Sequence, residues 1–190
     1  MRKTALTSTT GSALLLSIGY VLPFLTGQIP EIGNLLLPMH LPVMICGIIF
    51  GGAFGAAVGF VLPITRSLIF SRPVMFPSAI AMSFELCTYG LVIGALCSLI
   101  KPKRFLSVYP PLIASMLIGR AVWGVVMYLL LGLFGDGFSP TLFISGAFLD
   151  AIPGIILQLM LIPSLTVLLV KANVIEYDGI SVKRNGKGRK

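Results

Sequence analysis

Residues 35–70 read LLLPMHLPVMICGIIFGGAFGAAVGFVLPITRSLIF, an almost unbroken apolar run of 36 residues. As one helix it would be about 54 Å long, against a hydrocarbon core of roughly 30 Å. Gly51 and Gly52 stand in its middle, and a glycine pair is a turn signal. The run is therefore read as two membrane spans, about 35–52 and about 53–70, joined by a tight turn.

The same length test, carried outward, finds four more spans. They lie at about 8–26, 76–100, 107–134 and 141–170. The expectation is an all-α polytopic membrane protein: one six-helix domain over 1–172 and a basic tail over 173–190. Composition agrees. Hydrophobic residues make up 56% of the chain, charged residues 11%, and the mean hydropathy is +1.01. A soluble fold carries roughly a quarter of its residues as charges. A soluble enzyme or binding domain is thereby excluded, and disorder is excluded by the hydrophobicity itself.

Charge fixes the expected orientation. The chain has 14 Lys and Arg against 6 Asp and Glu. Arg2, Lys3, the KPKR loop at 101–104, Lys171 and the five basic residues of the tail are eleven of the fourteen. An even number of spans puts them all on one side, and the positive-inside rule makes that side cytoplasmic. The net charge of +8 is thus topological, with the tail resting on anionic lipid rather than on nucleic acid. Arg2-Lys3 before an apolar stretch also has the look of a signal peptide, but no small-x-small cleavage site ends the run, so it is read as the first span. Cys46, Cys87 and Cys97 all lie in apolar runs and are read as free packing residues. Gly47/Gly51, Gly55/Gly59, Gly90/Gly94 and Ala13/Ser17 are small-x-x-x-small pairs, spaced for close helix packing or for docking of a partner.

Ionisable residues inside spans are costly, about 2.5–3.5 kcal/mol each at mid-bilayer, and so mark function or pairing. Arg66, Glu85, Arg120 and Asp150 lie in spans, and His40 near the outer end of one. All favour the outer half. Ser78, Met82, Glu85 and Tyr89 share a helix face, as do Arg120, Trp123 and Met127. Asp150 is close to Pro153-Gly154, where a weakened helix opens backbone groups to a cavity. Together they give a mixed aromatic and polar lining suited to a small polar organic molecule. Two other readings stand beside it: the acids and arginines pair structurally, and Arg66 and His40 reach for headgroups. Catalytic signatures are missing. The sequence has no H-E-x-x-H, no G-x-S-x-G and no G-x-x-x-x-G-K-[ST], so uphill transport would draw on an ion gradient or on partner subunits.

The runs PEIGNLLLPMHLPVMICGIIFGGAFGAAVGFVLPITRSLIF and MFPSAIAMSFELCTYGLVIGAL resemble the substrate-binding S components of energy-coupling-factor (ECF) vitamin transporters. The resemblance spans about residues 5–171. It implies a non-enzymatic, high-affinity binding subunit of the bacterial plasma membrane that captures a vitamin or precursor from outside. It also implies docking on a transmembrane coupling subunit carried by two ATPase subunits. ATP is then hydrolysed by those partners, and this chain binds no cofactor. The family's small-residue docking motif on helix one falls here on Ala13 and Ser17, with Ser in place of the usual Ala. The loop GQIPEIGNLL matches the family's lid, which brings Asn34 and His40 to the pocket mouth. Pantothenate suits such a pocket, with Arg66 or Arg120 as anion partner and Glu85, Asn34 or Tyr89 as hydrogen-bond partners. Trp123 and Asp150 complete the expected substrate set. Pyrimidine precursors, pyridoxine-like rings, folate and cobalamin stay open as ligands. A stand-alone secondary transporter or channel, and a small membrane enzyme acting on lipid, are the competing classes.

Overall fold

Gly51 is where residues 35–70 break, as the glycine pair predicts. Its φ of 96° lies in the left-handed region that side-chain-bearing residues avoid. Its N–H is bonded to the Gly47 carbonyl, closing one helix, and its own carbonyl accepts from Gly55 in the next. The computed structural model describes residues 5–26, 38–100, 105–134 and 152–171. Within them run six α-helices: α1 (Ala5–Val21), α2 (His40–Phe50), α3 (Gly52–Phe70), α4 (Ile80–Ile100), α5 (Tyr109–Phe134) and α6 (Ile152–Lys171). Short 3-10 turns follow α1 (Leu22–Thr26) and precede α5 (Phe105–Val108), and a π turn over Met75–Ala79 leads into α4.

Five helical stretches among the described residues are long and apolar enough to cross a bilayer. The helix with α2 is shorter, 11 residues against the expected span of about 35–52, because regular helix begins only at His40. At 1.5 Å per residue it rises about 16 Å, half a hydrocarbon core. The chain is an all-α polytopic membrane protein. Its surface is inverted relative to a soluble fold: Leu14, Leu68, Leu99, Leu117 and Leu168 point outward, while His40, Arg66, Glu85, Arg120 and Gln158 are buried. Outward serine and threonine hydroxyls turn back on their own helices. Thr9, Thr10, Ser17, Thr88 and Ser164 each donate to the carbonyl four residues earlier, which suits a side chain facing lipid.

The centre is a glycine seam joining α2, α3 and α4. A Cβ on Gly55 would meet the backbone of Gly47 and the carbonyl of Gly90; one on Gly90 would meet Gly55; one on Gly94 would meet Gly52. Here backbones touch directly, which is how helices associate where lipid removes the hydrophobic drive. The small pairs read from the sequence at Gly55/Gly59 and Gly90/Gly94 are thus spent inside the bundle, as is Gly47, whereas its pair member Gly51 serves the turn. Two apolar clusters flank the seam. One includes Met44, Tyr89, Ile93, Met116 and Ile162, drawn from α2, α4, α5 and α6. The other holds Val43, Cys46, Val58, Leu62 and Leu86, with Leu15 and Leu16 of α1 against it. None of the three cysteines is in a disulfide; Cys46 and Cys97 are buried and Cys87 half-buried.

Candidate functional site

The first apolar cluster has a polar lid, and helical register explains it. Met44, Tyr89, Met116 and Ile162 belong to one cluster. Four residues along each helix, one turn towards the same end of the bundle, stand His40, Glu85, Arg120 and Gln158. On α2, α4 and α6 the polar residue precedes its apolar neighbour; on α5, which runs the other way, it follows. Antiparallel helices with matched register thereby set four polar side chains in one layer. All are buried: Arg120 is 5% exposed, Glu85 1%, His40 and Gln158 0%.

Three of the four meet at one atom. Glu85 Oε1 lies 3.0 Å from Arg120 Nη1 and 3.6 Å from His40 Nε2, and accepts the Tyr89 hydroxyl at 3.0 Å. The His40 and Tyr89 rings lie 5.2 Å apart and tilted by 55°. Gly119 makes room for this: a Cβ there would strike the Tyr89 ring. A carboxylate and a guanidinium buried together are tolerable only when paired and hydrogen-bonded. Glu85 meets that condition. Arg120 meets it only in part, since its Nε and Nη2 have no hydrogen-bond partner among the described residues. Both ring nitrogens of His40 and both amide atoms of Gln158 are likewise unpartnered there. Native proteins rarely leave buried polar groups so, and a cluster of them demands a reason.

Of the residues that the sequence reading offers as a substrate site, the structure brings His40, Glu85, Tyr89 and Arg120 together. Trp123 is half-buried one turn beyond Arg120 on α5. Met82 does not line the cluster; it packs against the second apolar core beside Leu86. Asn34 and Asp150 lie outside the described residues. Gln158 escaped the sequence reading. Its signal was an amide in the apolar run IILQLMLIP, on the same stripe as Gly154, Ile162 and Thr166.

Arg66 is placed elsewhere. It is buried at the joint of α1 and α3, where Nη1 donates to the Tyr20 carbonyl at 2.7 Å. That carbonyl is in the last turn of α1, where helical partners run out. The guanidinium carbon lies 5.5 Å from the centre of the Phe24 ring and 5.2 Å from that of Phe70, within cation–π range. The two rings meet edge-on, and Tyr20 Oη lies 2.6 Å from Thr65 Oγ1 beside them.

Ala13 and Ser17 lie on the exposed side of α1, away from its buried Ser8, Ser12 and Gly19. Ser17 donates to the Ala13 carbonyl at 3.0 Å, so its hydroxyl is satisfied and the face stays small and nearly apolar. Ser17, Ile18, Val21 and Leu22 line a shallow apolar groove that continues this face.

Residues 8–166 match the family model described as the substrate-specific component of ECF transporters. No significant match was found among curated proteins or among solved structures.

Proposed function

The chain belongs to the family of ECF transporter substrate-specific components, and from that we propose that it captures pantothenate in the layer formed by His40, Glu85, Tyr89 and Arg120. As a member it is a substrate-binding transport subunit of a multi-pass membrane type, not an enzyme. Its family works with a transmembrane coupling subunit and ATPases, and the bacterial plasma membrane is its usual place. The observation that carries the ligand reading is the half-used guanidinium of Arg120. Nη1 is committed to Glu85. Nε and Nη2, which lie along one edge of the planar group, are unpartnered among the described residues. That edge matches the two oxygens of a carboxylate. Glu85 already balances the positive charge, so the edge offers direction more than net charge. Pantothenate presents a carboxylate to it, and its amide and hydroxyls suit the neutral polar groups nearby. Asn34, Trp123 and Asp150 complete the proposed pocket.

Arg120→Lys tests this. Lysine keeps a cation for Glu85 but has no second edge. Two charge-assisted hydrogen bonds would be lost, each worth about 1.5–3 kcal/mol. We expect pantothenate affinity, measured by calorimetry on the purified chain, to fall at least a hundredfold with folding unchanged. An affinity equal to that of the wild type would reject the assignment.

Delivery completes the proposal. Ala13, Ser17 and the groove beyond them form the face that docks on the coupling subunit, with ATP hydrolysed by two ATPase subunits and no cofactor held by this chain. Ala13→Trp is expected to abolish uptake in cells and co-purification of the coupling subunit while leaving binding by the isolated chain intact. Normal uptake by this variant would remove α1 from the docking surface.

A further inference from the structure

Gln158 is the one member of the polar layer that touches neither Glu85 nor any other described hydrogen-bond partner. Its side chain is fully buried, and both Oε1 and Nε2 lack partners among the described residues. It sits on the buried stripe of α6 made by Gly154, Gln158, Ile162 and Thr166, so it faces the bundle rather than lipid. Ile162, one turn away, packs in the same cluster as Tyr89 and Met116. The stripe continues past Gln158 to Gly154, which brings no side chain. Thr166, on the same stripe, shows the contrast: its hydroxyl is satisfied by the Ile162 carbonyl at 2.7 Å. The amide of Gln158 makes no such bond to its own helix.

We infer that Gln158 is a specificity-determining residue, pairing with a neutral group of the ligand that carries a donor beside an acceptor, such as an amide or a hydroxyl next to a carbonyl. A carboxamide is the only uncharged side chain that offers both at once from one planar end. Arg120 has donors only. The two residues, on neighbouring helices at one level, therefore divide the ligand between them: an anionic end to the Arg120 edge, an uncharged amide-like portion to Gln158. A site built to hydrogen-bond such a group rejects analogues without it strongly, because its own buried atoms are then left unpaired. This inference rests on the layer being the substrate site, and it adds the part of the ligand that the arginine cannot read.

The test compares the full-length wild type with Gln158→Leu and Arg120→Lys, purified in detergent. Two probes are used: added pantothenate by calorimetry, and small molecules retained through purification by native mass spectrometry. Replacing an unpartnered buried amide with an apolar side chain of similar size is near neutral for the fold. Gln158→Leu is therefore expected to melt at or above the wild-type temperature, to lose at least tenfold in pantothenate affinity and to lose any retained species. It is also expected to narrow the preference for pantothenate over β-alanine, which has the carboxylate but not the amide. Wild-type affinity and retention in Gln158→Leu would overturn the role of Gln158 while leaving that of Arg120 standing. The same holds for a lowered melting temperature with binding intact. Weakened retention in Gln158→Leu with no pantothenate binding by the wild type would support Gln158 and reject pantothenate. A wild type that neither retains a small molecule nor binds pantothenate would overturn both.

Discussion

Glu85→Ala destabilises the protein by about 3–5 kcal/mol, the range for removing one partner of a buried ion pair. The loss follows from what Glu85 does: one oxygen holds Arg120, receives the Tyr89 hydroxyl and faces His40. Without it, a guanidinium that is 5% exposed has no counter-charge among the described residues. At about 2–4 °C per kcal/mol for a chain of this size, the melting temperature in detergent should fall by roughly 10 °C. Glu85→Ala combined with Arg120→Met should recover much of that loss, because the uncompensated charge goes with its partner. The double variant should still fail to bind ligand. Equal melting temperatures for wild type and Glu85→Ala would show that the pair does not hold the bundle. A double variant as unstable as the single one would mean that packing around Glu85, not charge, sets its worth.

The second large effect is expected at the glycine seam. Gly90→Leu places a side chain where the backbone of Gly55 already lies. A flexible side chain can yield to such a clash; a helix backbone yields only by moving the helix. Overpacking usually costs about 1–3 kcal/mol, and a backbone obstacle puts this variant at or beyond the upper end. Separation of α3 from α4 should appear as aggregation on size exclusion and loss of the folded peak. Gly132→Ala is the matched control: among the described residues nothing lies near a Cβ at that position on α5, and it should behave as wild type. A well-folded Gly90→Leu protein would show that the seam is looser than its geometry implies.

Much of this architecture was legible in the residues. Lengths of apolar runs gave the helices, and Gly51-Gly52 gave the break, because hydrocarbon thickness and backbone freedom are local constraints. The cost of a charge in lipid singled out Glu85 and Arg120, and they do meet. The same argument could not separate Arg66 from them. Its partners are the Tyr20 carbonyl and the rings of Phe24 and Phe70, and no local pattern ties those residues to position 66. Gln158 was missed for the opposite reason. The search for charges in lipid passed over an uncharged amide, whose meaning depends on register with three other helices. The start of α2 at His40 was obscured because Leu35, Leu36 and Leu37 are as apolar as the helix that follows.

The Arg66 clamp has a mechanical consequence. It rivets the top of α1 to the top of α3, while Gly11 seats the lower part of α1 on the Phe50 ring. The seam in turn makes α2, α3 and α4 a single block. Torque applied to α1 from outside is therefore not absorbed by bending but handed to that block, including His40 and Glu85. A push on the lipid-facing side of α1 therefore moves His40 and Glu85 together, relative to the Arg120 and Gln158 that α5 and α6 carry.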